Sequence, residues 1–379
     1  MSFLQAALSK REHEGTLRSL GLPDHAIQYT AYDFCSNDYL GFARSVHDIG
    51  ANQDLPTFQR GAEGSTGSRL LSGNSRALER LENYLASTLR AETALVFNSG
   101  YSANLGFFQA VANPKDSILF DVEVHASCKD GAKLSRAALY YFRHQDLQHC
   151  EERLRRLHAQ RKAGTQIFVG VESLYSMDGS QTCLQELAPL CARFDALLVV
   201  DEAHAIGTLG KQGEGLVASL GLEQEVFARV VTFGKALGTH GACVLGSSLL
   251  KQYLINFSRA FIYTTAMPPA QVASVERACA RLFSEAGTNA VAALQERMQL
   301  CRDMLGMGKG DVSPIWGIFF KDLKALQGIA SALQGLGYGI LPIYSPTVPR
   351  GRERLRLCVH TFNPLPVLKE LLHQIQRVR

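Results

Sequence analysis

The feature that most constrains this chain is a rhythm of short apolar runs set between stretches of helical spacing. Thr93–Phe97, Ser117–Phe120, Ile167–Val171, Ala196–Val200 and Arg229–Phe233 are rich in Val, Leu, Ile and Phe. Runs of that length and content, without polar alternation, are what strands buried on both faces look like. Between them apolar residues recur with a helical period: Leu78, Leu81, Leu85 and Leu89 lie within Ser75–Leu89, and a second such stretch covers Leu184–Phe194. The alternation predicts an α/β sheet, mostly parallel, with helices on both faces.

The flanks read differently. The first twenty-odd residues form a polar helical pattern ended by Gly21 and Pro23, and Tyr32–Phe34 reads as a short strand leading into the turn Ser36–Gly41. Met267-Pro268-Pro269 interrupts the pattern, and Ala270–Leu305 then reads as one long helical segment. Gly317–Phe320, Tyr338–Leu341 and Arg354–Val359 belong to a smaller α+β unit. The expected division is an N-terminal helix and arm over 1–40, a large α/β domain over 41–280 and a small domain over 281–379.

Composition excludes several classes. A chain of 379 residues with 46% hydrophobic and 20% charged residues buries a sizeable core. Its net charge of +4 is spread out, so nucleic acid is not an expected partner. No run approaches the roughly 20 apolar residues of a membrane span. Met1–Leu20 alternates charges rather than building an apolar leader, so none is expected. The nine cysteines contain no C-x-x-C pair, and Cys191, Cys243 and Cys358 sit in apolar runs. Buried thiols in a reducing cytoplasm are the expectation.

In a doubly wound sheet the site lies beyond the carboxyl ends of the strands. The residues there are Asn98 to Tyr101, Asp121 with His125, Glu172 to Asp178, Asp201 to His204, and Gly234-Lys235. One such residue reads as a surface loop; five groups together read as a site. Lys235 stands between Gly234 and Gly238 just after a buried run. It is either a desolvated amine that is nucleophilic toward carbonyls or a strand-end lysine paired with an acid, and the segment alone leaves both open. Asp201 and His204 fit a carboxylate that keeps a pyridine nitrogen protonated, a metal pair, or an aspartate orienting a catalytic histidine. Asn98–Asn104 is a plain strand-to-helix turn or an anion cradle, and it matches neither common nucleotide fingerprint. His125 is a satisfied structural histidine or a flat ring stacked on a planar cofactor.

Taken in order, these segments resemble the α-oxoamine synthase family of fold-type I pyridoxal-phosphate (PLP) enzymes. The resemblance runs from about Arg18 to Asn363. It is carried by Ser36–Gly41, Gly64–Gly73, Asn98–Tyr101, His125–Ser127, Glu172–Gly179, Asp201–Gly207, Thr232–Lys235, Tyr263–Pro269 and Pro346–Pro349. It implies Lys235 as the Schiff-base lysine that later moves the substrate's α-proton, Asp201 on the pyridine nitrogen and His125 stacked over the ring. It also implies His204 with Ser176 on the phenolic oxygen, and Gly100, Tyr101 and Thr232 holding the cofactor. Thr264 and Thr265 would reach the phosphate of a second subunit in a homodimer with shared sites. Asn37 and Arg356 would take the amino-acid carboxylate, and Arg18 and Thr347 would lie near the acyl substrate.

The implied reaction is decarboxylative condensation of an amino acid with an acyl thioester, carried on CoA or on a carrier protein. Val231–Gly238, Ile262–Ala270 and Ser345–Pro349 resemble most the subgroup that joins alanine to a pimeloyl thioester on the route to biotin. Glycine-using, palmitoyl-transferring and autoinducer-forming members are the alternatives. Tyr344 stands where many of that subgroup carry an arginine, which leaves the acyl end open. From spacing alone, the rival is a metal-dependent hydrolase built on Glu172, Asp201 and His204; the family resemblance implies no metal.

Overall fold

A computed structural model describes residues 2–13, 17, 31–44, 64–306 and 312–378. The chain divides into two compact units: Leu40–Tyr175 with Ser180–Ala293, and Met1–Tyr39 with Ser176–Gly179 and Leu294–Arg379. Among the described residues twelve strands follow in chain order. They are β1 (Tyr32–Asp33), β2 (Thr93–Phe97), β3 (Ser117–Asp121), β4 (Ala138–Phe142), β5 (Ile167–Glu172), β6 (Leu197–Asp201), β7 (Ala228–Thr232), β8 (Ala242–Gly246), β9 (Ile315–Ile318), β10 (Tyr338–Gly339), β11 (Leu341–Ile343) and β12 (Arg354–Cys358).

In the larger unit seven strands form one sheet in the order β2-β8-β7-β6-β5-β3-β4. Strand β8 runs antiparallel to both neighbours, and the other pairings are parallel. Successive residues point to opposite faces. Ile118, Phe120, Phe168 and Val199 therefore join one core with Phe107 and Phe108. Leu119, Val169, Leu198 and Val200 join the other with Leu154, Leu184 and Leu187. Both faces are covered, which is why the runs lack polar alternation. Gly170 is required on the first face: a Cβ there would sit 2.4 Å from the ring of Phe120.

The expected helix at Ser75–Leu89 is Arg76–Thr88, with Ser75 accepting the N–H of Leu78 at 3.2 Å. Its buried Glu82 accepts Lys251 Nζ at 2.8 Å, the N–H of Val96 at 3.0 Å and the guanidinium of Arg69. The segment Ala270–Leu305 departs from expectation. It is two helices, Pro269–Leu282 and Glu285–Leu305, because Ser284 Oγ turns back to the carbonyl of Arg281 at 2.7 Å and accepts the N–H of Gly287. Strands β4 and β8 have no counterpart in the sequence reading.

In the smaller unit β11, β12 and β9 form an antiparallel sheet, and β1 pairs in parallel with β10. Trp316, Ile318, Leu355 and Leu357 pack with Leu326 and Leu333 of the helix Leu323–Gly335 and with Leu368 and Leu372 of the helix Leu365–Val378. Phe34, next to β1, is fully buried in the same core. The helix Phe3–His13 buries none of its residues. Gly21 and Pro23 lie outside the described residues. Among the described residues no helix is long and apolar enough to cross a membrane.

Candidate active site

The parallel register places Glu172, the last residue of β5, beside Asp201, the last of β6. Both are buried. Asp201 accepts Asn104 Nδ2–H at 2.7 Å through one oxygen and the N–H of Ala203 at 2.9 Å through the other. Two donors favour the charged form of a carboxylate. Asn104 gives its second N–H to Ser127 Oγ at 3.1 Å, and Ser127 Oγ lies 2.7 Å from His125 Nδ1. Since His125 Nδ1 also accepts the N–H of Ser127, the serine hydroxyl donates to it, and a neutral ring carries its proton on Nε2. Asp201, Asn104, Ser127 and His125 thus form one hydrogen-bonded chain.

His125 caps the helix Ala126–Ser135 that follows β3. Burial is the main force holding its pKa below the ordinary histidine value; Lys235 adds to the depression and Asp201 opposes it. The imidazole is therefore neutral and presents a flat, uncharged face. Lys235 lies in the loop from β7 to β8, half-buried. That loop is closed by the N–H of Phe233 to Gly241 O at 2.8 Å, Thr239 N–H to Phe233 O at 2.9 Å and Gly238 N–H to Lys235 O at 2.8 Å. Phe233 is fully buried beneath it. The lysine's charge is felt by both His125 and Glu172, so all of these groups share one neighbourhood.

His204 is buried in the turn after β6, where Thr208 Oγ1 donates to its carbonyl at 2.6 Å. Thr232, which ends β7, donates to Ala203 O at 3.2 Å. The helix Gly100–Val111 starts directly after β2, capped by Ser99. A Cβ on Gly100 would lie 2.4 Å from Thr232 Cγ2, so the helix start sits hard against Thr232 and only glycine allows it. First-turn N–H groups of a helix suit an anion. Tyr101 is 47% exposed and donates to Asp130 Oδ2 at 2.6 Å. Thr264 and Thr265 meet Asn98 of the same chain: Asn98 Nδ2 donates to Thr264 Oγ1 at 3.1 Å and Thr265 O at 2.8 Å. Asp121 is occupied by its own turn, accepting the N–H groups of Glu123 and Gln145 and contacting His144 Nδ1 at 2.9 Å.

A second set of residues lies in the smaller unit. Arg356, on β12, is buried. It donates from Nε to Ser176 O at 2.7 Å, from Nη1 to Cys35 O at 3.3 Å and from Nη2 to Asn37 Oδ1 at 2.9 Å. Tyr39 also donates to Asn37 Oδ1, at 3.1 Å. Among the described residues no carboxylate lies within ion-pair distance of Arg356. A guanidinium that is buried and has no carboxylate partner is prepared for an anion from outside the chain. Ser176 belongs to this unit, and its carbonyl serves Arg356. Thr347 is exposed, with its N–H on Tyr344 O at 3.0 Å. Arg18 lies outside the described residues.

Asn104 and Ser127 join the site without having been assigned a role from sequence, and Glu172, which the sequence offered only as a metal ligand of the rival reading, lies beside Asp201. A second asparagine just past the Asn98–Tyr101 turn is the one local signal for Asn104.

The sequence model of the family described as aminotransferase class I and II matches residues 30–374. The 8-amino-7-oxononanoate synthase of Cellvibrio japonicus is 38% identical over 386 residues, 98% of this chain and 95% of its own length. That of Emericella nidulans is 35% identical over 398 residues, covering 98% and 94%. Among solved structures, the serine palmitoyltransferase of Sphingomonas wittichii superposes with a TM-score of 0.85 at 25% identity, covering 100% of this chain and 97% of its own. The 8-amino-7-oxononanoate synthase of Francisella tularensis gives a TM-score of 0.76 at 27% identity, covering 92% and 98%.

Proposed function

The chain belongs to the class I and II aminotransferase family, and we propose that within it the protein is a PLP-dependent acyltransferase of the α-oxoamine synthase type. It condenses L-alanine with a pimeloyl thioester, on CoA or a carrier protein, to give 8-amino-7-oxononanoate, CO2 and free thiol for biotin synthesis. One observation carries the reading: Lys235, Asp201 and His125 converge at the carboxyl ends of β7, β6 and β3, in a chain aligned along nearly its whole length with 8-amino-7-oxononanoate synthases.

The residues present fit PLP. Asp201 offers a carboxylate with each oxygen already held by an N–H, and Gly100 leaves room that any side chain would fill. When bound, the cofactor supplies an electron sink for carbanion formation at the amino acid's α-carbon. Asp201 would hold the ring nitrogen in its protonated form, and neutral His125 would pack against the ring. His204 and Ser176 serve the phenolic oxygen. Gly100, Tyr101 and Thr232 hold the cofactor, Thr232 at the phosphate. Lys235 would hold the cofactor, and its amine would take the amino acid's α-proton.

Arg356 meets the amino acid's carboxylate with its planar fork, and Asn37 supports it. The condensation releases the thiol, and the β-keto acid so formed loses CO2. Arg18 and Thr347 serve the acyl end. We place the enzyme in the cytoplasm as a homodimer, with Thr264 and Thr265 of each copy completing the phosphate site of the other.

Tyr344 is the observation that favours a second reading, a member of the same family with another acyl chain. One assay separates them: alanine, glycine and serine are each offered with several acyl thioesters while thiol release is followed. Turnover with alanine and a pimeloyl thioester supports the proposal. Fast turnover only with glycine and a short acyl group overturns it.

A further inference from the structure

Glu172 is a buried acid that the proposed chemistry leaves without a task. Its register partner is Asp201, and register partners on neighbouring parallel strands point to the same face, about 4.7–4.9 Å apart in the hydrogen-bonding direction. Both side chains are buried. Two buried carboxylates so placed disfavour each other's charged form, and the donors around them decide which one holds the charge more readily. Asp201 has an N–H on each oxygen. Glu172 accepts the backbone N–H of His125, while its Oε1 is buried without a hydrogen-bond partner.

We propose that Glu172 is a positioning residue that stands as a neutral acid, leaving Asp201 to carry the negative charge and fixing the turn that presents His125. The inference rests on Asp201 being the partner of the cofactor's ring nitrogen. Burial first, and Asp201 second, push the Glu172 carboxyl up to about 8, with Lys235 pulling the other way. The groups facing it from the surrounding elements are Asp201, Lys235, Asp121, His125, Cys128, Lys129 and Tyr175. Above that pH a second negative charge stands beside Asp201, in the neighbourhood that Lys235 shares.

The sign for stability follows from linkage. An acid whose pKa is raised on folding imposes no cost below its unfolded value of 4.5, a growing cost between there and about 8, and a constant cost above. Glu172→Gln removes that cost. The variant is expected to melt with the wild type at pH 4 and at a higher temperature at pH 8 to 9. It is also expected to keep its affinity for PLP and its kcat at pH 7 within about twofold, while losing the alkaline fall in kcat near pH 8.

Infrared spectroscopy of wild-type protein reads the same group directly, with and without PLP, whatever the fate of any variant. A protonated-carboxyl stretch present at pH 6.5 and titrating away near pH 8 supports the proposal. Its absence at pH 6.5, a wild-type alkaline fall that persists in Glu172→Gln, or a variant that binds PLP more than tenfold more weakly at pH 7 overturns it. A protein that takes up no PLP yet shows the band contradicts the cofactor reading and leaves the ionisation of Glu172 standing.

Discussion

At the end of β6 a buried carboxylate is met by two N–H groups of its own chain, one from Asn104 and one from Ala203. On β12 a buried guanidinium is met by two backbone carbonyls and one amide oxygen, with no carboxylate within ion-pair distance among the described residues. Both groups escape the cost of an unsatisfied buried charge, but they do it with different partners. Asp201 is met by two donors and aimed. Arg356 is solvated by neutral oxygens and lacks the counter-charge a structural arginine normally keeps. The contrast separates a site that tunes a bound ring from one that captures an anion.

That distinction is open to attack by mutation. Asp201→Ala is expected to lower kcat on the order of 10³-fold, since an electrostatic partner of the reacting system is lost; steady-state kinetics showing a loss under tenfold would break the left-hand side of the comparison. Arg356→Lys should raise KM for the amino acid about 10–100-fold with a smaller effect on kcat, because a point charge replaces a planar fork. Arg356→Met should lose the same affinity while leaving the melting temperature unchanged or raised, as expected when a buried charge without an acid partner is replaced by an apolar side chain. A drop of many degrees would make Arg356 structural. Asn104→Ala should weaken PLP binding about tenfold by equilibrium dialysis, for one hydrogen bond to a charged group. Ser127→Ala, one bond further from Asp201, should cost about threefold.

Legibility in the sequence tracked burial and range. Strands β2, β3, β5, β6 and β7 are dense in Val, Leu, Ile and Phe because helices cover both faces. Edge strand β4, with Leu139, Tyr140 and Tyr141 half-buried, is itself a continuous apolar and aromatic run over Ala138–Phe142, so its signal was present in the sequence. Strand β8, Ala242–Gly246, mixes small residues with its valine and leucine. The break at Phe283-Ser284 is invisible to periodicity, since apolar spacing continues on both sides and one serine hydroxyl makes the turn. Lys235, Asp201 and His125 were legible because they end or closely follow strands. Asn104 was not: it lies inside a helix, and its partner Asp201 comes from a strand far along the chain. The pairing of Arg356 with Ser176 O also joins distant segments and uses a backbone atom, which no residue pattern records.

The most direct test concerns Lys235. Purified protein loaded with PLP is treated with borohydride, digested, and its peptides are weighed. The added mass is expected on the peptide that contains Lys235, and a Lys235→Ala variant should be colourless and unlabelled. Labelling spread over surface lysines such as Lys115 and Lys324, or label retained by the variant, would contradict the assignment.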